Sequence, residues 1–282
     1  MPEISPELLS SVIHPRQSDT HKGDYGRVLL IGGSDQYGGA IIMAAEAAIN
    51  SGSGLVCVAT HSINLGALHA RLPEAMFIDW RDRNLGAMIG QVDVIVCGPG
   101  LGQSDQAIKL LQLLKVNLTG EQTVILDASA LDLIAKNKEL MPTRSKLIIM
   151  TPHQMEWQRL SQLRIPFQTD SANLAALRAL VPGSKGVLVL KSNHTKVFDT
   201  DGNIYTNPLG NPGMATGGTG DTLAGIIGGF CAQFGGKVNS VLAAVYIHSW
   251  AGDLIGQDHY VVRPTQISAL LPRLMKKVAE KL

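Results

Sequence analysis

Nearly continuous apolar runs, rich in β-branched residues, recur at 27–33, 55–60, 75–80, 92–98, 123–128, 146–151 and 186–191. Several of the intervening segments carry apolar residues at helical spacing, over 38–52, 104–116 and 170–182. Strands without polar alternation are buried on both faces. The pattern therefore predicts an α/β fold, with a mostly parallel central sheet and helices on both faces. Residues 195–207, "TKVFDTDGNIYTN", break the rhythm: Asp201-Gly202 between two alternating runs is a hairpin signal. Beyond residue 213 the pattern turns helical, over 217–235, 239–256 and about 264–281. No repeat, low-complexity tract or linker interrupts the chain, so a single domain over 1–282 is expected.

Composition adds a large core: of 282 residues, 45% are hydrophobic and 17% charged. A net charge of +1 offers no electrostatic footprint for nucleic acid or an anionic membrane, and neither is expected as a partner. Cys57, Cys97 and Cys231 are scattered in apolar runs without metal-ligand spacing, which reads as buried thiols in a reducing compartment. The opening "MPEISPELLSSVIHPRQ" lacks the basic start and apolar core of a signal peptide. The most apolar helix, "TLAGIIGGFCAQF", is too short and glycine-rich to span a bilayer. A cytoplasmic location is expected.

Candidate chemistry concentrates in "NPGMATGGTGDTLAGIIGGF", residues 211–230, where one carboxylate, Asp221, follows a glycine-rich turn at the head of an apolar helix. Gly218, Thr219 and Gly220 fit an anion hole, because glycines let backbone approach a phosphate and free N–H groups point at it. A carboxylate there repels phosphate. It makes sense as a base that takes a proton from the group attacking phosphorus; the alternative is a plain helix cap. No Lys-Ser/Thr follows the glycines, so this is not a Walker loop.

"NPGMATGGTGD" resembles the anion-hole motif of the ribokinase-like superfamily. More closely, the chain resembles the NAD(P)H-hydrate dehydratases, which repair hydrated NADH and NADPH. The resemblance also rests on "HKGDYGRVLLIGGS" (21–34), "YGGA" (37–40), "GPGLG" (98–102), "TPHQMEW" (151–157) and "KSNHT" (191–195), in the family's order. It implies a ribokinase-like fold, a homotetramer, and ADP (or ATP) as co-substrate with Mg2+. It also implies that ADP-dependent dehydration of the S-form hydrate releases AMP and phosphate, alongside a separate epimerase. The family pattern places the hydrated cofactor against Ala40, Gly102, His153 and Asp221. It places the nucleotide against Lys191, Ser192, Asn193, His194, Thr195 and Gly220. Related kinases have Asn-x-x-Glu at "HQME", where the acid supports magnesium; Glu156 would do so indirectly, and is otherwise a first-turn helix acid. His153 and Glu156 are expected on one helical face.

Two departures stand out. Ser129 occupies a place where the family more often has a second acid, and "KSNHT" is bulkier than the family's loop. Lys22 in "HKGDYG" is either a phosphate contact or part of a solvated loop. His248, in an apolar helix, is expected to pack in the core.

A kinase-like site suits a dehydratase because the hydrate's hydroxyl is a poor leaving group. Phosphorylation makes it a good one, and the ring nitrogen's lone pair can then expel phosphate. The rivals are a ribokinase-like kinase for a vitamin-precursor alcohol and a non-catalytic adenine-nucleotide-binding regulator. The regulator would have no need of Asp221.

Overall fold

A computed structural model describes residues 2–280. After helix α1 (Pro6–Val12), strands and helices alternate: β1 (Arg27–Ile31), α2 (Gly38–Asn50), β2 (Leu55–Thr60), α3 (Leu65–Arg71), β3 (Met76–Asp79), α4 (Leu85–Ile89) and β4 (Val94–Cys97). Then come α5 (Asp105–Asn117), β5 (Thr123–Leu126), α6 (Ser129–Lys136), β6 (Leu147–Met150), α7 (Gln154–Ser161), α8 (Asp170–Leu180) and β7 (Gly186–Leu190). The hairpin is β8 (Lys196–Asp199) and β9 (Ile204–Thr206), followed by α9 (Thr219–Phe234), α10 (Val238–Gly256) and α11 (Pro264–Ala279). The last position expected for the final helix, 281, lies outside the described residues.

The nine strands form one sheet in the order β3-β2-β1-β4-β5-β6-β7-β8-β9. Pairing from β3 through β7 is parallel, and the hairpin adds two antiparallel strands at the edge. Alternate strand residues feed two cores, as the period of a strand requires. Val28 and Leu30 join α2, α9 and α10 on one side, while Leu29 and Ile31 join α5, α6 and α7 on the other.

The strands end sooner than their apolar runs suggest. Gly32, Gly98, Asp127, Thr151 and Lys191 fall just past β1, β4, β5, β6 and β7, at the carboxyl edge of the sheet. The chain order reverses between β1 and β4, which opens a crevice at that edge. The helix expected from 217 starts at Thr219, because Gly218 has φ +95°, outside the helical region. Lys22 is in a short turn before β1, at the amino edge, where its backbone carbonyl packs on Gly54. It lies at the opposite edge of the sheet from the carboxyl-edge loops.

Candidate active site

Helix α9 brings Asp221 to the carboxyl edge. Its first-turn amides have no intrahelical acceptors, and no side chain caps them. Thr219 turns its hydroxyl back into its own loop, bonding the Met214 carbonyl at 2.9 Å and the Thr216 carbonyl at 3.0 Å. The Thr219 amide donates to the Thr216 carbonyl at 3.4 Å, whereas the Gly220 and Asp221 amides have no acceptor among the described residues. Gly220 allows a close approach to Lys191: a Cβ at 220 would lie 3.1 Å from Lys191 Nζ. Gly218 is set deeper, where an added Cβ would strike Met43 at 2.4 Å.

Lys191 is the hub. Its Nζ lies 3.0 Å from Asp127 Oδ1 and 4.0 Å from Glu156 Oε2. Asp127 is buried and also accepts from Thr151 Oγ1 at 2.8 Å. Burial works against the Lys191 charge, but Asp127, Glu156 and Asp221 outweigh it and hold the ammonium above its ordinary value. Asp221 moves oppositely. Burial first, then the neighbouring Asp127 charge, pushes its carboxyl up to about 7, with Lys191 opposing. A carboxylate poised near neutrality is matched to proton transfer at physiological pH.

His153 does not share a helical face with Glu156. It is the extended N-cap of α7 (φ −78°, ψ 170°), and Glu156 is the third helical residue. His153 Nδ1 accepts from the Met155 and Glu156 amides, while Glu156 Oε2 accepts from the His153 amide at 2.9 Å. This reciprocal box fixes the ring with its proton on Nε2, 3.5 Å from Glu156 Oε1. The Lys191 amide donates to the Pro152 carbonyl at 2.9 Å, binding the two loops together.

A cavity of about 770 Å³ opens over these groups. Its walls include Asp127, His153, the whole stretch Lys191–Thr195, Thr219, Gly220 and Asp221, and apolar Leu209, Met214, Leu223 and Val245. A lining that mixes a few charged and polar groups with apolar side chains suits a nucleotide. The 191–195 loop holds itself with a bond from Thr195 Oγ1 to the Ser192 carbonyl at 3.3 Å, and His194 takes a left-handed φ of +60°.

Ala40 and Gly102 border the β1/β4 crevice next to this cavity. Gly100 packs between Tyr37 and Ala40, and the Gly102 amide donates to Ser129 Oγ at 3.2 Å. The serine at the departure from the family pattern thus holds the loop by a neutral hydrogen bond. Glu156 is buried behind His153 with both oxygens engaged. Among the described residues no cluster of three or more His, Cys, Asp or Glu forms a ready metal cage.

Three features of the site have no local signal that reveals their role. Asp127 directly follows β5 in "LDASAL", but its partner Lys191 is 64 residues on. Ala128 beside it has a positive φ of +45°, costly for a residue with a Cβ. His248 is buried as expected, yet it also lines the cavity with an unpartnered Nε2. Burial pushes it down to about 4, only partly opposed by the Thr219 backbone, so the ring is neutral at pH 7. The three cysteines are free and buried, and burial raises each thiol, Cys57 to about 11 and Cys97 and Cys231 to about 12.

Residues 28–273 match the family model described as NAD(P)H-hydrate dehydratase. The ADP-dependent (S)-NAD(P)H-hydrate dehydratase of Lactiplantibacillus plantarum is 47% identical, with 99% of each chain covered. A ribokinase-like superfamily protein of Enterococcus faecalis superposes with a TM-score of 0.94 at 47% identity, covering 99% of this chain and 97% of that one. The ADP/ATP-dependent NAD(P)H-hydrate dehydratase of Bacillus subtilis, co-crystallised with ATP/Mg2+, gives a TM-score of 0.84 at 30% identity, with 98% of each chain covered.

Proposed function

This chain belongs to the NAD(P)H-hydrate dehydratase family, and on that premise we propose that it dehydrates the S-form of hydrated NADH and NADPH at the expense of ADP. The observation that carries this reading is Asp221: a carboxyl raised to about 7, in the first turn of α9 behind a glycine turn, beside the Lys191 hub and lining a nucleotide-sized cavity.

ADP lies in the cavity along 191–195, its phosphates toward Gly220. The hydrated ring enters from the β1/β4 crevice, past Ala40, Gly102 and His153. Asp221 takes the proton of the carbon-6 hydroxyl as that oxygen attacks the β-phosphorus, and AMP leaves. The α9 amides at Gly218–Gly220 stabilise the charge on the moving phosphoryl group. The ring nitrogen's lone pair then expels phosphate, and loss of the carbon-5 proton restores NADH or NADPH. Neutral His248 lines the cavity without adding a further charge to the Asp127, Lys191 and Glu156 set around Asp221.

Magnesium would be carried mainly on the donor phosphates and water, since Asp127 and Glu156 are already engaged by Lys191, Thr151 and His153. Its chemistry there is to neutralise the donor phosphates, and Glu156 would act through His153 or water rather than as a direct ligand. Because the reaction takes one stereoisomer, a separate epimerase must supply the S-form from the R-form. A homotetramer in the cytoplasm completes the proposal on the strength of the family resemblance. No described helix is long and apolar enough to cross a membrane.

The test is spectroscopic. Hydrated NADH lacks the near-ultraviolet absorbance of NADH, so addition of enzyme and ADP is expected to restore it, with one AMP and one phosphate per NADH. Excess chelator should stop the reaction. Stable phosphorylation of a thiazole or pyrimidine alcohol, with no action on the hydrate, would instead establish the kinase.

A further inference from the structure

Helices α6 and α7 leave the reaction site side by side. The first begins at Ser129, which holds Gly102, and the second at the His153 cap. Asp132 on α6 accepts from Arg159 Nε on α7 at 2.8 Å and joins the pair. A cleft of about 830 Å³ lies over this junction, bounded by Gln103, Asp132, Lys136, Arg159 and Arg164. Gln103 directly follows Gly102, so the cleft adjoins the crevice expected to admit the hydrated cofactor.

Charge in the cleft is unbalanced. Three cations meet one carboxylate, and Arg159 already engages that carboxylate through Nε. Lys136 Nζ bonds the neutral Gln103 Oε1, and Arg164 makes no ion pair among the described residues. In a chain of net charge +1, this is a local excess rather than part of a basic surface. Guanidinium forks and an ammonium group around one opening suit a dianionic phosphate. The reach selects which phosphate. From Ser129 to Lys136 the α6 backbone rises about 10 Å, which carries the cleft beyond groups close to the reacting ring.

We propose that the α6–α7 cleft binds the 2′-phosphate of hydrated NADPH and makes it a better substrate than hydrated NADH. The proposal rests on the dehydratase reading above. The diphosphate bridge is present in both hydrates, whereas the 2′-phosphate is present in one, so the two substrates separate the sources.

The experiment compares both hydrates with wild type, Lys136→Gln, Arg164→Gln and the double variant. Wild type should show the higher kcat/KM for hydrated NADPH. Each substitution should raise KM for that substrate about tenfold, the scale of one lost charge-assisted bond, with kcat unchanged. For hydrated NADH the constants should stay within about twofold, since it makes no such bond. Equal losses on both hydrates, or none, would overturn the assignment. If neither hydrate is turned over, the dehydratase reading is what fails. Titration with adenosine 2′,5′-bisphosphate still decides the cleft: weaker binding to the double variant than to wild type supports it, and equal binding removes it.

Discussion

Two groups of glycines share the stretch 217–229 and do unlike things. Gly217, Gly218 and Gly220 precede Asp221 at the start of α9, and Gly220 lines the cavity. Gly225, Gly228 and Gly229 follow it and face solid structure. A Cβ at 225 would lie 2.1 Å from the Ala44 carbonyl oxygen, at 228 2.7 Å from Val96 Cγ2, and at 229 2.6 Å from Ser51 Cβ. The later group lets α9 press onto α2 and the sheet, which is how Asp221 comes to be held against the strand ends. The earlier group meets a movable lysine tip at 220, open space at 217, and at 218 the flexible end of Met43 together with a left-handed φ. Glycine density therefore marks two needs at once, close helix packing and close phosphate approach. Only the partners tell them apart.

The harshest way to break the comparison is Gly225→Leu. Backbone blocks the new side chain, so α9 and α2 must separate, and a loss of about 3 kcal/mol or more is expected, read as a collapse of the thermal transition. Gly220→Val should do the reverse, leaving the melting temperature nearly unchanged while activity falls on the order of a hundredfold. Its φ is not in the left-handed region, so the backbone accepts a side chain and the damage is confined to the Lys191 ammonium and the amide approach. A Gly220→Val enzyme with full activity would remove the anion hole from the account.

Asp221→Asn sharpens the contrast on stability. The folded carboxyl holds its proton to about pH 7, whereas in the unfolded chain it would be released near its usual value of 3.8. Between those values the folded state binds the extra proton, so this residue makes stability fall as pH rises. Above pH 7 the penalty is complete. The Asn variant should then unfold at higher denaturant than wild type, by about 1–3 kcal/mol, and the two should converge below pH 4. The mildest change is Gly217→Ala. Nothing lies within 4 Å of the added Cβ, and a shift within about 0.5 kcal/mol is expected.

The parallel sheet was legible because its strands are continuous apolar runs, and the hairpin because Asp201-Gly202 interrupts alternation. Helices α3 and α4 are a few turns at most and leave little periodicity to read. Helices α6 and α7 begin within four residues of a strand end, so their first turns blend into the strand signal. The turn at 217–221 could be read locally, since a lone acid after glycines is unusual within an apolar stretch. The Lys191–Asp127–Glu156 cluster could not, because its members come from two separate strand ends and the first turn of α7. His248 looked like core from its apolar neighbours, and only the cavity reveals its unpaired nitrogen. Lys22 needed one further step: a residue before β1 must lie at the amino edge, away from the carboxyl-edge site of a parallel sheet.

The central claim is that Asp221 is the base and that its surroundings tune it. The most direct measurement is kcat/KM for hydrated NADH as a function of pH, for wild type and Asp221→Asn, with ADP affinity followed in parallel. Wild type should rise along a single acidic limb with its midpoint at about 7, since the proton must leave Asp221 before it can act. The Asn variant should be ~10²–10⁴-fold slower, lose that limb, and bind ADP within a few-fold of wild type. A profile flat to pH 5, or an Asn variant at full rate, would contradict the account.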